Sequence, residues 1–240
     1  MGAVTIMFTT WRAVFAIMLG YALLTMATLW LMTHETLNRR APLRLLTTFD
    51  HYYRLLMQRH FVLPALSIGS GVGGIYTLSI ALPFVLIYRL RLSTFSFGLV
   101  MMFQTGSYIT GSLLANRLLR LHSLTSIIRL GVSVIALGGI LFLLLPHLCV
   151  PAVWVWISPA AIWVFGNALV APGLTSFAME RQAEKAGSAS ALLGFIQIGI
   201  GFLDNTLLGS FYTDVAQGTA WLVPMSAFIA VSCGLASKRA

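Results

Sequence analysis

The sequence predicts an all-α polytopic membrane protein with seven transmembrane helices. Three observations carry that prediction. Of 240 residues, 58% are hydrophobic and only 9% charged, against about 45–50% and about 25% in soluble domains. The apolar residues gather into runs of about 20, the length that crosses about 30 Å of hydrocarbon as a helix. Basic residues between the runs then fall almost entirely on one side. This composition excludes a soluble enzyme, a disordered tail and a disulfide-stapled secreted domain. Cys149 and Cys233 have no partner motif and carry no redox information.

The spans are expected at residues 13–33, 61–88, 95–116, 127–145, 153–177, 189–211 and 220–237. The first is longer than the apolar region of a signal peptide and no small-residue cleavage site follows, so it reads as an anchor. With the N-terminus outside and sides alternating, the inner loops hold Arg39, Arg40, Arg44, Arg54, Arg59, Arg117, Arg120, Arg129, Arg181, Lys185, Lys238 and Arg239. The outer side holds Arg12, Arg89 and Arg91, a count of 12 against 3. The excess places the C-terminus in the cytoplasm. It also accounts for the net charge of +9 without a nucleic-acid partner.

Between the first two spans, Leu45, Phe49, Tyr52 and Leu56 recur at helical spacing. The segment reads as an amphipathic helix on the cytoplasmic surface, with Pro42 near its start. It divides the chain into one span before it and six after it.

Signals for chemistry are sparse. None of His34, His51, His60, His122 and His147 falls in a span, and no pair has the spacing of a helical zinc site. A nucleophile elbow and a P-loop are both missing. Lys185 and Lys238 sit at membrane boundaries, so no lysine is available inside a span for a retinal Schiff base. The sequence therefore predicts no enzyme, no metal and no cofactor.

What remains is polar groups and helix breakers within spans. Gly69, Gly71, Gly73 and Gly74 crowd the second span, and further glycines recur in the third, fourth and sixth. Small residues let helices approach closely in lipid, and they also suit helices that rock during alternating access. Pro83 and Pro172 remove helix hydrogen bonds within spans. Trp154, Trp156 and Trp221 read as interfacial belt residues, whereas Trp163 lies deeper, to line a pocket or to pack.

Asp204 is the sharpest single residue. A carboxylate inside a span costs roughly 2.5–3.5 kcal/mol on insertion scales and should face the bundle interior or water. Two readings stand: a proton or cationic-substrate site, or a wet outer helix end at Asp204-Asn205-Thr206. Gln104, Tyr108, Asn167 and Gln197 can each bond a ligand or a neighbouring helix.

Local motifs then suggest a family. Trp11-Arg12-Ala13-Val14-Phe15 resembles the opening of the sixth helix in drug:proton antiporters. Thr33-His34-Glu35-Thr36-Leu37 resembles its close, with histidine where proline is usual. Pro83-Phe84-Val85-Leu86, Phe97-Gly98-Leu99, Gly111-Ser112-Leu113-Leu114 and Asn116-Arg117-Leu118 resemble the seventh and eighth helices of the Bcr/CflA (bicyclomycin/chloramphenicol resistance) subfamily. The run over residues 186–194 followed by Gln197 resembles that subfamily's tenth-to-eleventh-helix junction, and its small residues Gly187, Ala189, Ala191 and Gly194 would let a helix enter the membrane against a close neighbour. The chain is thus similar to the C-terminal part of a major facilitator superfamily drug:proton antiporter.

The resemblance implies three segments. Residues 1–35 would be the tail of helix five and the sixth helix, 36–60 a cytoplasmic linker, and 61–240 a six-helix half. It implies proton-coupled efflux of small hydrophobic or cationic drugs across the inner membrane, with a facing N-terminal half as partner. This chain would be a fragment inactive alone. Tyr76, Gln104, Tyr108, Asn167, Gln197 and Asp204 are candidate substrate contacts, with Asp204 also the candidate proton site. It matches no carboxylate of the family's motifs. Arg117 and Arg120 would form a cytoplasmic gate or anchor the loop. The rival expectations are a half-transporter that homodimerises and a non-transporting membrane partner or receptor.

Overall fold

A computed structural model of the chain describes residues 10–32, 45–182 and 186–237. All regular structure among these residues is helical. Helix α1 is Trp11–Met32 and α2 is Leu45–Met57. Helix α3 is Arg59–Pro83 and continues as a π-helical segment, Phe84–Arg89. Then follow α4 (Thr94–Leu118), α5 (Leu124–Leu148), α6 (Val153–Met179), α7 (Ala186–Phe211) and α8 (Val215–Ala236). The helix-six closing motif, Pro42, Arg39, Arg40, Arg44, Lys185, Lys238 and Arg239 lie outside the described residues, as does the expected tail of helix five through Thr9.

Among the described residues six helices are long and apolar enough to cross a membrane: α1, α3 with its extension, α5, α6, α7 and α8. Helix α4 matches them in length at 25 residues, but Gln104, Thr105, Ser107, Tyr108, Thr110 and Ser112 lower its hydropathy below theirs. Helix boundaries follow local chemistry. Ser93 caps α4 by accepting from the Ser96 N–H at 3.1 Å. Asp214 caps α8 in the same way through the Ala216 N–H at 2.9 Å, so α8 begins at Val215 rather than near 220. Pro83 cannot donate a backbone bond, and the helix beyond it widens into the π segment, closed by the Leu90 N–H on the Val85 carbonyl at 3.0 Å.

Helices α3 to α8 form one bundle around α3 and α6. Helix α6 packs against α3, α4 and α5, and α3 also packs against α7 and α8. Lipid gives apolar side chains no reason to leave it for one another, so close backbone approach must hold the helices together. Glycines supply it: an added Cβ at Gly74 would lie 2.5 Å from the Trp163 ring, and one at Gly111 2.8 Å from the Phe165 carbonyl. Helix α1 is different, because none of its residues from Arg12 to Met32 is buried.

Two expectations need correction, and the packing of α2 adds a detail. Trp156 is not a belt residue; it is buried with its ring centroid 6.5 Å from that of Phe142. Of the small residues opening α7, only Ala189 packs; Ala191 is exposed, and space is open around Gly187 and Gly194. The packed side of α2 is Leu55 with Tyr52, while Phe49 and Leu56 are exposed. Spacing found the amphipathic stripe of α2 but not which part of it meets protein.

The glycine contacts yield a direct test. Gly74→Ala should destabilise the protein by about 1–3 kcal/mol through overpacking against a rigid indole. Gly199→Ala, where nothing lies within 4 Å, should cost nothing and raise stability by up to about 1 kcal/mol. Melting temperatures in detergent would compare the two, and equal losses would contradict this packing.

Candidate functional site

The helices distribute the polar candidates over three environments. The first is the seam between α3 and α6. Trp163 is fully buried there and donates its indole N–H to the Gly71 carbonyl at 3.0 Å. One turn on, Asn167 is 3% exposed and lies directly over Gly71, and its Nδ2 has no hydrogen-bond partner. The Ser70 hydroxyl, also buried, is likewise unpartnered. Gln104 is 5% exposed, with an unpartnered Oε1. It sits two turns before Gly111 on the side of α4 that meets α6. Such groups are costly in a low-dielectric interior and are natural places for water or a ligand group.

The second environment joins α3, α7 and α8. Asp204 is half-buried, and its Oδ2 accepts a hydrogen bond from the Ser226 hydroxyl of α8 at 2.8 Å. Gly73 of α3 leaves room for it: a Cβ there would stand 3.4 Å from the same oxygen. Asp204 is therefore held in an interhelical contact within a continuous helix, rather than at a frayed end. Its neighbour Asn205 donates back to the Gly201 carbonyl at 2.7 Å.

The third is the uncovered side of the bundle. Tyr76 is exposed, with its ring over Gly201, so α3 and α7 touch beneath it. Tyr108 is exposed on α4 and Gln197 half-buried on α7. Thr105, Tyr108, Ser112 and Asn116 follow one another at helical spacing and make a polar stripe along α4. The six candidates thus do not converge on one pocket. Arg117 and Arg120 are exposed at the end of α4, and among the described residues neither side chain has a bonding partner.

Both ends of the bundle carry polar ties that sequence reasoning missed. Where α2 meets α3, Gln182 donates to Gln58 at 3.0 Å and His60 lies 3.7 Å from Glu180. At the opposite end Arg89 pairs with Asp214 at 3.0 Å, joining α3 to the start of α8. Beside that pair is a cavity of about 230 Å³, lined by Arg89, His147, Trp156, Asp214 and Gln217 among others. None of the six candidates lines it. Ser226 and Ser67, which donates to the Ala230 carbonyl at 2.7 Å, are isolated hydroxyls in apolar runs. They had no spacing signal. Among the described residues no group of His, Cys, Asp and Glu could hold a metal.

A bundle of long apolar helices with polar groups buried in its seams is the build of a polytopic membrane protein. Residues 1–203 match the family profile of the Major Facilitator Superfamily. The chain belongs to that superfamily. It is a multi-pass membrane protein, and its relatives carry the names of transporters and resistance proteins. It is 27% identical over 239 residues to an uncharacterized MFS-type transporter, YdgK, of Bacillus subtilis, covering 98% of this chain and 58% of that protein. It is 24% identical over 233 residues to a bicyclomycin resistance protein homolog of Haemophilus influenzae, at 96% and 58% coverage. The multidrug transporter MdfA of Yersinia pestis matches at 24% over 201 residues, at 83% and 49% coverage. The chain thus spans about half to three-fifths of the length of these superfamily relatives.

The Asp204–Ser226 contact can be measured by a double-mutant cycle. Asp204→Ala, Ser226→Ala and the double variant should reveal a coupling of about 0.6–1.7 kcal/mol, the range for interhelical hydrogen bonds in membrane proteins. Unfolding in bicelles reads it, and strictly additive single losses would mean that the bond contributes nothing.

Proposed function

We propose that this chain is the C-terminal part of a proton-coupled drug efflux transporter of the Bcr/CflA kind. In this reading residues 1–35 close the N-terminal half, 36–60 link the halves and 61–240 form the second six-helix bundle. Two such bundles rock about a midplane cavity, and the proton gradient drives out small hydrophobic or cationic molecules. The N-terminus lies outside and the C-terminus in the cytoplasm, as the basic residues favour.

The observation that carries the reading is the uncovered side made by α3, α4 and α7. Tyr76, Tyr108 and the polar stripe of α4 are exposed there. Helix α7 buries Leu192, Leu193 and Gly201 on one side and exposes Phe195, Ile198 and Phe202 on another. A facing bundle would turn this open side into a cavity wall. Tyr76, Tyr108 and Gln197 then contact substrate, and Gln104 and Asn167 sit behind them. The names of the bicyclomycin-resistance and multidrug relatives support the substrate class. Asp204 is the proton-binding carboxylate of this half, held by Ser226, and Arg117 and Arg120 hold the cytoplasmic loop. No nucleic acid, metal or cofactor takes part.

Dye efflux from everted membrane vesicles tests the reading. The chain alone should give no gradient-driven efflux of a cationic dye, because its cavity has one wall. Joined to a facing bundle, it should transport, and Asp204→Asn should then cut efflux by an order of magnitude at unchanged protein level. Transport by the chain alone, with cross-linking into a specific pair, would establish a homodimer instead. An Asp204→Asn variant with full activity would remove the proton role.

A further inference from the structure

Four chain segments close around the cavity beside Arg89 and Asp214: the π-helical segment, the end of α5, the first turn of α6 and the first turns of α8. At about 230 Å³ it is smaller than the pockets of about 300–1,000 Å³ that hold drug-sized molecules. Its occupant must therefore be smaller than a drug. Part of its wall is apolar and lies well inside the bundle, since Val155 is 1% exposed and Trp156 5%. A second cavity that also touches the ion pair is walled by Phe84 and Tyr88, both exposed. The Trp156 side is thus the sheltered one.

Two charges define the polar part of the wall. Among the described residues, Arg89 and Asp214 are the only basic or acidic side chains of the Lys, Arg, Asp and Glu set that line the cavity. They stand 3.0 Å apart, and each is about half exposed. Asp214 accepts from Arg89 on Oδ2 and from the Ala216 N–H on Oδ1, which leaves about two of the four acceptor sites of a carboxylate. Arg89 bonds through Nη1 alone among the described residues, and a guanidinium has about four donors besides. Opposite charges therefore lie side by side, each neutralising the other and each with bonding capacity to spare. A lone anion on Arg89 would meet the Asp214 carboxylate, and a lone cation on Asp214 would meet the guanidinium. A molecule with both charges a few bonds apart, laid antiparallel to the pair, is attracted by both. His147 and Gln217, which can each donate and accept, complete the polar wall.

We infer that this cavity binds a small zwitterion with a short apolar tail. Its anionic group lies on the free donors of Arg89, its cationic group on Asp214, and its tail against Val155 and Trp156. The site is separate from the uncovered side of α3, α4 and α7, so it stands whether or not the chain takes part in efflux.

The cavity carries its own reporter. Cys149 lines it and is partly exposed, whereas Cys233 does not line it. The rate at which N-ethylmaleimide alkylates Cys149 in the purified full chain, read by peptide mass spectrometry, therefore follows occupancy, with Cys233 as internal control. Three probes share one skeleton: leucine carries both charges, 4-methylpentanoate only the negative one and 3-methylbutylamine only the positive one. For a dissociation constant of about 1 mM, leucine at about 10 mM should slow alkylation of Cys149 about tenfold and leave Cys233 unchanged. The single-charge probes should slow it by less than about twofold. Equal protection by all three probes, no protection by leucine, or equal slowing at Cys233 overturns the inference. Asp214→Asn keeps a helix-capping side chain and should transfer protection to 4-methylpentanoate, and Arg89→Gln should transfer it to 3-methylbutylamine. An unchanged preference for leucine in both variants also overturns it, because the charge pair then does not read the ligand. Where the Cys149 thiol is unreactive without ligand, saturation-transfer NMR with the same probes reads binding, and a signal from leucine no larger than from the other two overturns the inference.

Discussion

The approach of α3 to α6 at Trp163 is the contact on which the rest of the bundle depends. The indole is fully buried and bonds the Gly71 carbonyl at 3.0 Å, while its ring occupies the space that a side chain at Gly74 would need. The backbone of Trp163 itself stands against Gly138 of α5, where a Cβ would meet its nitrogen at 3.0 Å. One residue thus sets the separation of three helices. In lipid this is how a bundle must be held, since burying apolar area yields little and dispersion between closely fitted surfaces supplies the attraction. The other helices arrange themselves on this frame, with α4 against α6, and α7 and α8 against α3.

That frame also decides where polar groups can go. Asn167 lies one turn from Trp163 on the same seam, so its amide is carried into a space that is already tightly filled, and Nδ2 finds no partner. Asp204 and Ser226 meet where Gly73 leaves room between α7, α8 and α3. The glycines of α3 therefore serve two needs at once. Gly71 and Gly74 admit α6, and Gly69 and Gly73 admit α7, where added Cβ atoms would lie 2.8 Å from Ile200. A helix touched on so many sides has little freedom to slide, and any movement of this bundle would carry α3, α6 and their neighbours together as a body.

Much of this was legible in the sequence. Rough span position follows from hydropathy, because each helix must satisfy its own backbone in lipid and needs a fixed length to cross it. The expected number of seven does not, since only six of the described helices are apolar enough to cross. The amphipathic α2 and the placing of an acid, Asp204, inside a long apolar helix were also readable. Rotation was not. Nothing in the run around Trp156 distinguishes an interfacial tryptophan from one packed at a tilt against Phe142, since both occupy the first turn of a helix near a boundary. Spacing likewise named Phe49 and Leu56 as an apolar stripe, but only the turn at Gln58 fixes which side of α2 meets the bundle. Ser226 escaped because a lone hydroxyl in an apolar helix looks the same whether it bonds its own backbone or a neighbour's carboxylate.

The glycines show why composition alone misleads about function. Those of α3, α5 and α6 have neighbours where their Cβ atoms would be, so they are spent on packing within the bundle. Those at Gly106 on α4 and Gly187, Gly194, Gly199 and Gly209 on α7 have open space around them. A glycine inside a helix weakens it by up to about 1 kcal/mol relative to alanine, and five such positions confined to two helices gain nothing from the packing seen here. Those two helices also carry Tyr108 and Gln197 and flank Tyr76. The glycines of the bundle thus fall into two sets: those with a neighbour where the side chain would be, Gly111 of α4 and Gly201 of α7 among them, and those of α4 and α7 that have none. Density of glycine in a span records neither role; only the neighbour of each missing side chain does.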